Sequence, residues 1–248
     1  MARPLDIQRI AELLRPDARI TVLTGAGVSA ASGVPTFRGE AGLWRSYRAE
    51  DLATPEAFRR DPQLVWEWYD WRRSLIAGCA PNAGHEVLAR WSARAGFTLV
   101  TQNVDGLHER AGTQNVVRFH GSIWELRCAG GCGTPAWQDR SAHLDPLPAR
   151  CPGCGGLARP GVVWFGEPID PDVLARAASA CECDVFLSVG TSSIVYPAAG
   201  LVHAARRNGA FTAEINPVAT EAAGMVDVAV SMPAEEALPL LDELAISG

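Results

Sequence analysis

The stretch that decides the fold runs from residue 20 to residue 30 and reads Ile20-Thr21-Val22-Leu23-Thr24-Gly25-Ala26-Gly27-Val28-Ser29-Ala30. Its first four residues are apolar or β-branched, as in a buried strand. The pattern G-x-G-x-x-A follows directly, and its glycines permit a tight turn and a close backbone approach to a pyrophosphate at a helix N-terminus. An ordinary strand-to-helix turn can carry the same glycines, so other motifs have to decide between the two interpretations.

The rest of the chain alternates strand-like and helix-like segments. Apolar runs with β-branched residues recur at 97–100, 185–189 and 211–215, and helix-like segments span 4–14, 85–94, 171–180 and 197–207. This alternation predicts an α/β fold with a Rossmann-like, doubly wound parallel sheet. Ligands of such sheets bind at the carboxyl ends of the strands.

Two regions interrupt the alternation and are predicted to form a smaller domain. A helical insertion spans about residues 39–79, and its helix 65–76 follows Asp61-Pro62, an N-cap residue and a first-turn proline. A cysteine-rich, zinc-ribbon insertion spans about 124–160. We therefore expect a single catalytic domain over 1–248, whose Rossmann-like part comprises about residues 1–38, 80–123 and 161–248.

Composition narrows the class of protein. Of the 248 residues, 48% are hydrophobic and 20% are charged, which is typical of a soluble globular protein. No apolar run is long enough for a membrane helix, and the N-terminus has no apolar signal-peptide core, so we expect a cytoplasmic protein without a membrane partner. A net charge of −6 argues against direct nucleic-acid binding. The oligomeric state stays open, with a monomer favoured.

The seven cysteines are distributed as a metal site would require. Four form two close pairs eighteen residues apart, Cys128 with Cys132 and Cys151 with Cys154. This spacing is close to that of a zinc ribbon in a reducing compartment, with one extra residue in the first knuckle. Four thiolates fill a tetrahedral zinc, so we expect one structural Zn²⁺. For the separate residues Cys79, Cys181 and Cys183, we expect ordinary thiols.

Further motifs accompany the glycine loop. Besides residues 25–39, they are Thr101-Gln102-Asn103-Val104-Asp105-Gly106-Leu107-His108, Phe119-His120-Gly121-Ser122, Gly190-Thr191-Ser192-Ser193 and Asn216-Pro217. Their residues and order resemble the sirtuin family of NAD-dependent lysine deacylases over nearly the whole chain. Within the family, the chain resembles the class III, desuccinylase-like and demalonylase-like sirtuins of bacteria or archaea.

The resemblance implies a reaction that consumes NAD as co-substrate. Acyl-lysine side chains of proteins would be the partners, and the products would be free lysine, nicotinamide and O-acyl-ADP-ribose. His120 would be the general base that deprotonates a ribose hydroxyl. Imidazole suits this role because its unperturbed pKa of about 6.5 leaves it largely neutral at pH 7. Taken alone, a histidine between Phe and Gly is more often a packed, hydrogen-bonded residue.

The same resemblance implies a set of NAD-binding residues. The pyrophosphate would contact Gly25, Ala26 and Gly27, and the cover over the nicotinamide ribose would include Phe37 and Arg38. The pocket for the nicotinamide and its ribose would include Gln102, Asn103 and Asp105. The adenosine half of NAD would contact Gly190, Ser192 and Asn216. Further cofactor-binding residues would be Ser29, Ala30, Thr36, Trp44, Val104, Thr191, Pro217, Val218 and Ala234. Asn103 and Asp105 also favour turns and caps in any protein, and both roles are compatible.

The segment 161–167 is a short extended run that leads out of the cysteine region. In sirtuins the matching segment pairs with the substrate backbone as an added strand, which would involve Val163, Trp164, Phe165 and Gly166. From composition alone, a buried strand would look the same.

The helix 65–76 carries a candidate acyl-recognition pair, Tyr69 and Arg72, three residues apart on one face. This resembles the Tyr-x-x-Arg pattern of sirtuins that prefer acidic acyl groups such as succinyl and malonyl, since a guanidinium forks onto a carboxylate and a phenol donates to it. Ala53 matches a small residue that leaves room for a longer chain, and acetyl is not excluded. An aromatic-rich helix is, however, more often a packing face, and Arg73 also lies one turn from Tyr69.

Three other functions share part of the pattern. An NAD(H) oxidoreductase would explain the glycine loop, but a strand ending in Asp or Glu about twenty residues on is missing. A noncatalytic reader of ADP-ribose or peptides could use the zinc ribbon as an interaction module. Protein mono-ADP-ribosylation would share the early chemistry of deacylation.

Overall fold

The computed structural model describes residues 4–35, 47–192 and 195–247, which form nine strands and nine α-helices. The strands are β1 (Ile20–Thr24), β2 (Phe97–Thr101), β3 (Val117–Arg118), β4 (Gly121–Cys128), β5 (Trp137–Gln138), β6 (Ala158–Val162), β7 (Val185–Val189), β8 (Phe211–Ile215) and β9 (Val228–Val230). The helices are α1 (Pro4–Ala11), α2 (Ala49–Leu52), α3 (Pro55–Arg60), α4 (Pro62–Ala77), α5 (Ala83–Trp91), α6 (Leu107–Arg110), α7 (Pro171–Ala180), α8 (Gly200–Arg207) and α9 (Ala234–Ser247), with 3₁₀ turns at Ala26–Ser32 and Glu221–Gly224.

The large sheet has six strands in the order β3-β2-β1-β7-β8-β9, and all its pairings are parallel. Numbered by their order along the chain, these strands read 3-2-1-4-5-6, which is the order of a dinucleotide-binding doubly wound sheet. The order reverses between β1 and β7, and Ile20 pairs with Phe97 on one side and with Val185 on the other. The predicted Rossmann-like fold class is confirmed.

Helices cover both faces of the large sheet. On one face α1, α5 and α9 pack on alternate residues of the central strands, such as Val22 and Leu187. On the other face α7 and α8 pack on the intervening residues, such as Leu23 and Phe186. Because successive side chains of a strand point to opposite faces, a sheet covered on both faces favours strands that are largely apolar.

A second, antiparallel sheet has the strand order β5-β4-β6 and lies against helices α2, α3 and α4. The helical and cysteine-rich segments share one buried core, in which the Trp66 indole donates to the Ala158 carbonyl (2.9 Å). The two predicted insertions therefore pack together beside the large sheet.

Several local expectations were wrong. Helix α1 ends at Ala11 because Leu13 N and Leu14 N turn back in i to i+3 hydrogen bonds, and α8 begins at Gly200 instead of residue 197. The glycine loop continues as the 3₁₀ turn Ala26–Ser32 instead of an α-helix. The extended run 161–167 stops being a strand at Val162, since Trp164 N bonds to a side chain instead of a strand partner.

None of the helices in the described parts of the chain has the length and apolar character that crossing a bilayer requires.

Candidate active site

The glycine loop meets the end of β7 where the order of the large sheet reverses. Gly25 N donates to Val189 O (3.1 Å), and Gly27 N donates to Gly190 O (2.8 Å). A Cβ on Gly27 would lie 2.7 Å from Gly190 Cα, and Gly190 has a φ of +60°, so neither position accommodates a side chain. The glycines therefore bring two backbone segments together at the edge where doubly wound sheets bind ligands.

Ser29 is the centre of a buried hydrogen-bond network behind this loop. Its Oγ donates to Asp105 Oδ2 (2.8 Å) and accepts from Asn103 Nδ2 (3.1 Å), and Asp105 Oδ1 accepts from Leu107 N (2.8 Å). Burial raises the pKa of Asp105, while the hydrogen bonds from Leu107 and Ser29 oppose that rise. Asn103 and Asp105 are thus fixed from within the chain, just beyond the carboxyl end of β2.

His85 and His108 form a buried pair beneath the network, a feature that the sequence analysis missed. His85 Nδ1 accepts from Asn82 N (3.3 Å), which leaves the ring proton on Nε2, 3.4 Å from Ser29 Oγ. The two imidazole rings are 4.8 Å apart. Burial lowers the pKa of His85 to about 4 and also lowers that of His108, so both rings are neutral at pH 7. The sequence signal that could have revealed the pair was His85, a histidine on the otherwise apolar inner face of helix α5.

His120 lies where the chain leaves the large sheet after β3 and enters the small sheet at β4. Its Nδ1 is 3.1 Å from Gln102 O, and because a carbonyl oxygen only accepts, Nδ1 carries the proton. The lone pair of the neutral ring is therefore on Nε2. Burial lowers the pKa of His120, and the hydrogen bond to Gln102 opposes that shift. This ring can take up a proton near neutral pH.

Tyr69 and Arg72 lie together on the inner face of α4. The Tyr69 side chain is 3% exposed and that of Arg72 is 8% exposed, with the guanidinium 5.3 Å from the centre of the Trp68 ring. Burial raises the pKa of Tyr69 to about 12 and lowers the pKa of Arg72, which the charge of Asp105 partly restores. This electrostatic coupling connects the α4 pair with the carboxylate beside Ser29.

Arg73 has a different role from its neighbour. Its guanidinium donates to the carbonyl oxygens of Ile123 (2.9 Å), Asp139 (2.9 Å) and Ser141 (2.7 Å), and it forms an ion pair with the Asp139 carboxylate (2.5 Å). These bonds attach α4 to the cysteine-rich segment. Arg73 is a structural cross-link between the two insertions, which leaves Arg72 as the arginine of the Tyr-x-x-Arg pair.

The main-chain N–H groups of residues 163–165 have partners within the chain. Val163 N donates to His120 O (3.0 Å), Trp164 N to Glu167 Oε2 (2.9 Å), and Phe165 N to Ala53 O (2.9 Å). Because these N–H groups are occupied, a peptide strand added to this segment would have to bond to its carbonyl oxygens or to the main chain of Gly166. The Phe165 side chain is 45% exposed, whereas that of Trp164 is buried against α4.

The four paired cysteines converge on one point. Their Sγ atoms all lie within 4.8 Å of one another, and two sulfur pairs, Cys128 with Cys154 and Cys132 with Cys151, are 3.7 Å apart. Zinc–sulfur bonds of about 2.3 Å in a tetrahedron separate the sulfurs by about 3.8 Å. The cluster therefore fits one zinc ion with a complete set of protein ligands.

The other predicted cofactor residues surround the carboxyl edge of the sheet. Asn216 Nδ2 donates to Thr191 O (2.8 Å), which joins the ends of β8 and β7. Ala234 is buried at the start of α9, whereas Val218 is 74% exposed. Other predicted cofactor residues that are half-buried or exposed are Ala26, Ala30, Gln102, Val104, Ser192 and Pro217. Thr36, Phe37, Arg38 and Trp44 lie outside the described residues.

Comparison with protein-family models matches residues 25–197, more than half of the chain, to the Sir2 family. The chain belongs to the Sir2 family. The matched segment contains the glycine loop, both insertions, His120 and the end of β7. The resemblance to sirtuins that the sequence motifs indicate is thereby confirmed.

Individual Sir2 relatives are similar over nearly their whole length. An NAD-dependent protein deacylase of Aquifex aeolicus (strain VF5) is 52% identical over 84% of this chain and 87% of its own. A solved Sir2 homologue in complex with NAD is 42% identical with a TM-score of 0.87, covering 97% of this chain and 93% of that one. A Sir2 structure bound to a myristoylated histone peptide is 29% identical with a TM-score of 0.79, covering 99% and 98%.

Proposed function

We propose that this Sir2-family chain is an NAD-dependent protein-lysine deacylase that prefers succinyl and malonyl groups to acetyl groups. Deacylation follows from its family and from relatives that are named as deacylases over nearly their full length. The acyl preference rests on one observation. A phenol and a guanidinium, Tyr69 and Arg72, are buried side by side on α4, where an apolar acyl pocket would need neither.

The proposed NAD site is the edge at which β1 and β7 diverge. The loop 25–30 would hold the pyrophosphate, and the end of β8 would hold the adenosine half. Asn103 and Asp105 would face the nicotinamide ribose, held in place by the network centred on Ser29. Zinc, bound by the four cysteines, would stabilise the small sheet and take no part in the chemistry.

His120 is the proposed general base. With Nδ1 donating to Gln102 O, the Nε2 lone pair can accept the proton of a ribose hydroxyl. The hydrogen bond also sets the ring's orientation, since an imidazole held at one nitrogen keeps the other aimed in a fixed direction. The released products would be nicotinamide, the free lysine and O-acyl-ADP-ribose.

Arg72 and Tyr69 are the proposed acyl-recognition pair. A succinyl or malonyl group ends in a carboxylate, which a guanidinium can bind through two parallel hydrogen bonds while a phenol donates a third. The main-chain carbonyl of Ala53 accepts from Phe165 N, so the small residue 53 lies beside the peptide-binding segment 163–166. Acetyl-lysine would fit the same pocket but carries no carboxylate for Arg72 and Tyr69 to bind.

Replacing Arg72 by methionine should lower kcat/KM on a succinyl-lysine peptide by about 10- to 150-fold, because a charge-assisted hydrogen bond contributes roughly 1.5–3 kcal/mol. Deacetylation should fall much less, so the ratio of the two kcat/KM values is the measurement. Acetyl, malonyl, succinyl, glutaryl and myristoyl peptides of one sequence should be compared side by side.

Arg59→Met is a matched control on neighbouring helix α3, where the Arg59 side chain is 71% exposed and pairs with Glu56. It should leave the substrate ratio as in the wild type. Equal losses on succinyl and acetyl peptides in Arg72→Met would contradict the recognition role. A wild-type preference for the acetyl peptide over the succinyl one would contradict the acyl preference itself.

The lowered pKa of His120 predicts the acid side of the rate–pH profile. A base acts in its deprotonated form, so the rate rises with pH as the ring loses its proton. Because burial lowers the pKa of His120 below the usual 6.5, the midpoint of this rise in kcat/KM should lie below pH 6.5. A midpoint above pH 6.5, measured with a substrate that does not titrate in this range, would be inconsistent with His120 as the base.

A further inference from the structure

Trp164 is held rigidly in the small domain. Its indole contacts two side chains, with the Arg159 guanidinium 3.4 Å from the ring centre and the Phe58 ring centre at 5.2 Å. Glu167 bonds to both Arg159 and Trp164, because its carboxylate accepts from Arg159 Nη1 and Nη2 (2.5 and 2.8 Å) and also from Trp164 N (2.9 Å). Both the backbone and the ring plane of Trp164 are therefore constrained.

The indole nitrogen of Trp164 is directed at the proposed acyl site. Nε1 lies 2.9 Å from the Tyr69 hydroxyl oxygen in a fully buried contact. Indole N–H is a donor only, so the Tyr69 oxygen has to be the acceptor of this bond. The phenol's own proton must then be donated in another direction.

We propose that Trp164 is a positioning residue for acyl selectivity, which acts by fixing the Tyr69 hydroxyl so that its proton is donated to the acyl carboxylate held by Arg72. This inference rests on the proposed function and adds a residue to it. The peptide-binding segment would thus contribute a side chain to acyl recognition as well as main-chain groups to peptide pairing.

Two features of the site support the arrangement. Tyr69 is neutral at physiological pH, since burial raises its pKa to about 12, so its proton is available for donation. A hydroxyl oxygen that accepts a hydrogen bond in a low-dielectric environment becomes a better donor, because consecutive hydrogen bonds polarise one another. The Tyr69 ring also packs edge-on against Trp68, 4.6 Å between ring centres, so the phenol cannot readily turn away.

Trp164→Phe removes the N–H and retains an aromatic ring. We expect the ratio of kcat/KM on succinyl to acetyl peptide to fall roughly tenfold, the size of one hydrogen bond's contribution, with the change mainly in KM for the succinyl peptide. A second variant, site-specific replacement of Trp164 by benzothienylalanine, exchanges N–H for sulfur in a ring of nearly the same shape. It should show the same fall, and it remains informative if the phenylalanine variant folds poorly.

A double-variant comparison separates positioning from packing. If Trp164 acts through Tyr69, then Trp164→Phe should not lower the ratio further in a Tyr69→Phe background. The proposal would be overturned if the double variant showed the combined loss of the two single variants in the succinyl-to-acetyl ratio. It would also be overturned if Trp164→Phe lowered kcat/KM by the same factor on both substrates.

The outcomes also distinguish this inference from the proposed function. If Arg72→Met lowers the succinyl-to-acetyl ratio and neither Trp164 variant does, the positioning role is wrong and the acyl preference stands. If Arg72→Met leaves the ratio at its wild-type value, the recognition role of Arg72 is wrong and the positioning role of Trp164 is wrong with it.

Discussion

Replacing His120 by alanine should reduce formation of O-acyl-ADP-ribose by about 10²- to 10⁴-fold, the usual contribution of a general base. The expectation follows from the orientation of the ring, in which Nδ1–H donates a hydrogen bond to Gln102 O and Nε2 is left with its lone pair. In the proposed reaction the base acts after nicotinamide has left, so exchange of labelled nicotinamide into NAD should fall less than product formation. Both rates can be measured on one succinyl-lysine peptide.

His143→Ala is a suitable control, because the His143 side chain is 69% exposed and bonds to Asp70 on the outer part of the small domain. It should retain wild-type rates. If His120→Ala retained more than about a tenth of the wild-type product formation, His120 would not be the base and another group would have to take the ribose proton. A noncatalytic reader of ADP-ribose would bind its ligand equally well with either variant.

Removing zinc should unfold the small domain and abolish activity. Zinc sites of this kind contribute about 10–16 kcal/mol to the folding of isolated zinc domains. A loss of even about 4 kcal/mol would lower Tm by roughly 8–16 °C in a chain of this size. We expect one zinc per chain by elemental analysis, and a large fall in Tm after chelation or in Cys151→Ala, whose side chain is buried.

Cys79→Ser provides the comparison, since Cys79 lies outside the four-sulfur cluster and is half-buried. It should keep its zinc and its Tm close to the wild-type value. A purified chain that contained no metal, or that kept its Tm after complete removal of zinc, would show that the cysteines form an ordinary thiol cluster.

The central part of the fold could be predicted because its signals are local. Strands β1, β2, β7 and β8 are apolar runs that end at glycine, asparagine or threonine, and their alternation with helices permits few topologies. Strands β3 and β9 have only two and three residues, and β4 mixes polar and apolar residues, so these strands carry no comparable pattern. Their places depend on pairing with strands that are distant in sequence.

The candidate site was predictable as a set of motifs but not as a network. The resemblance pointed to His120, Asn103 and Asp105. The buried pair of histidines behind Ser29 could not be predicted, because it depends on the contact between helices α5 and α6. Trp164 shows a second limit. Its segment was predicted as an extended strand, and a strand pattern does not say that the indole turns back to reach a phenol ninety-five residues earlier in the chain.

The cross-link made by Arg73 affects how the molecule opens. With its guanidinium bonded to the cysteine-rich segment, α4 cannot separate from the small sheet without breaking the hydrogen bonds and the ion pair of Arg73. We therefore expect helix α4 and the cysteine-rich segment to form one cooperative unit of local unfolding, with shared protection from hydrogen exchange, although they are distant in sequence.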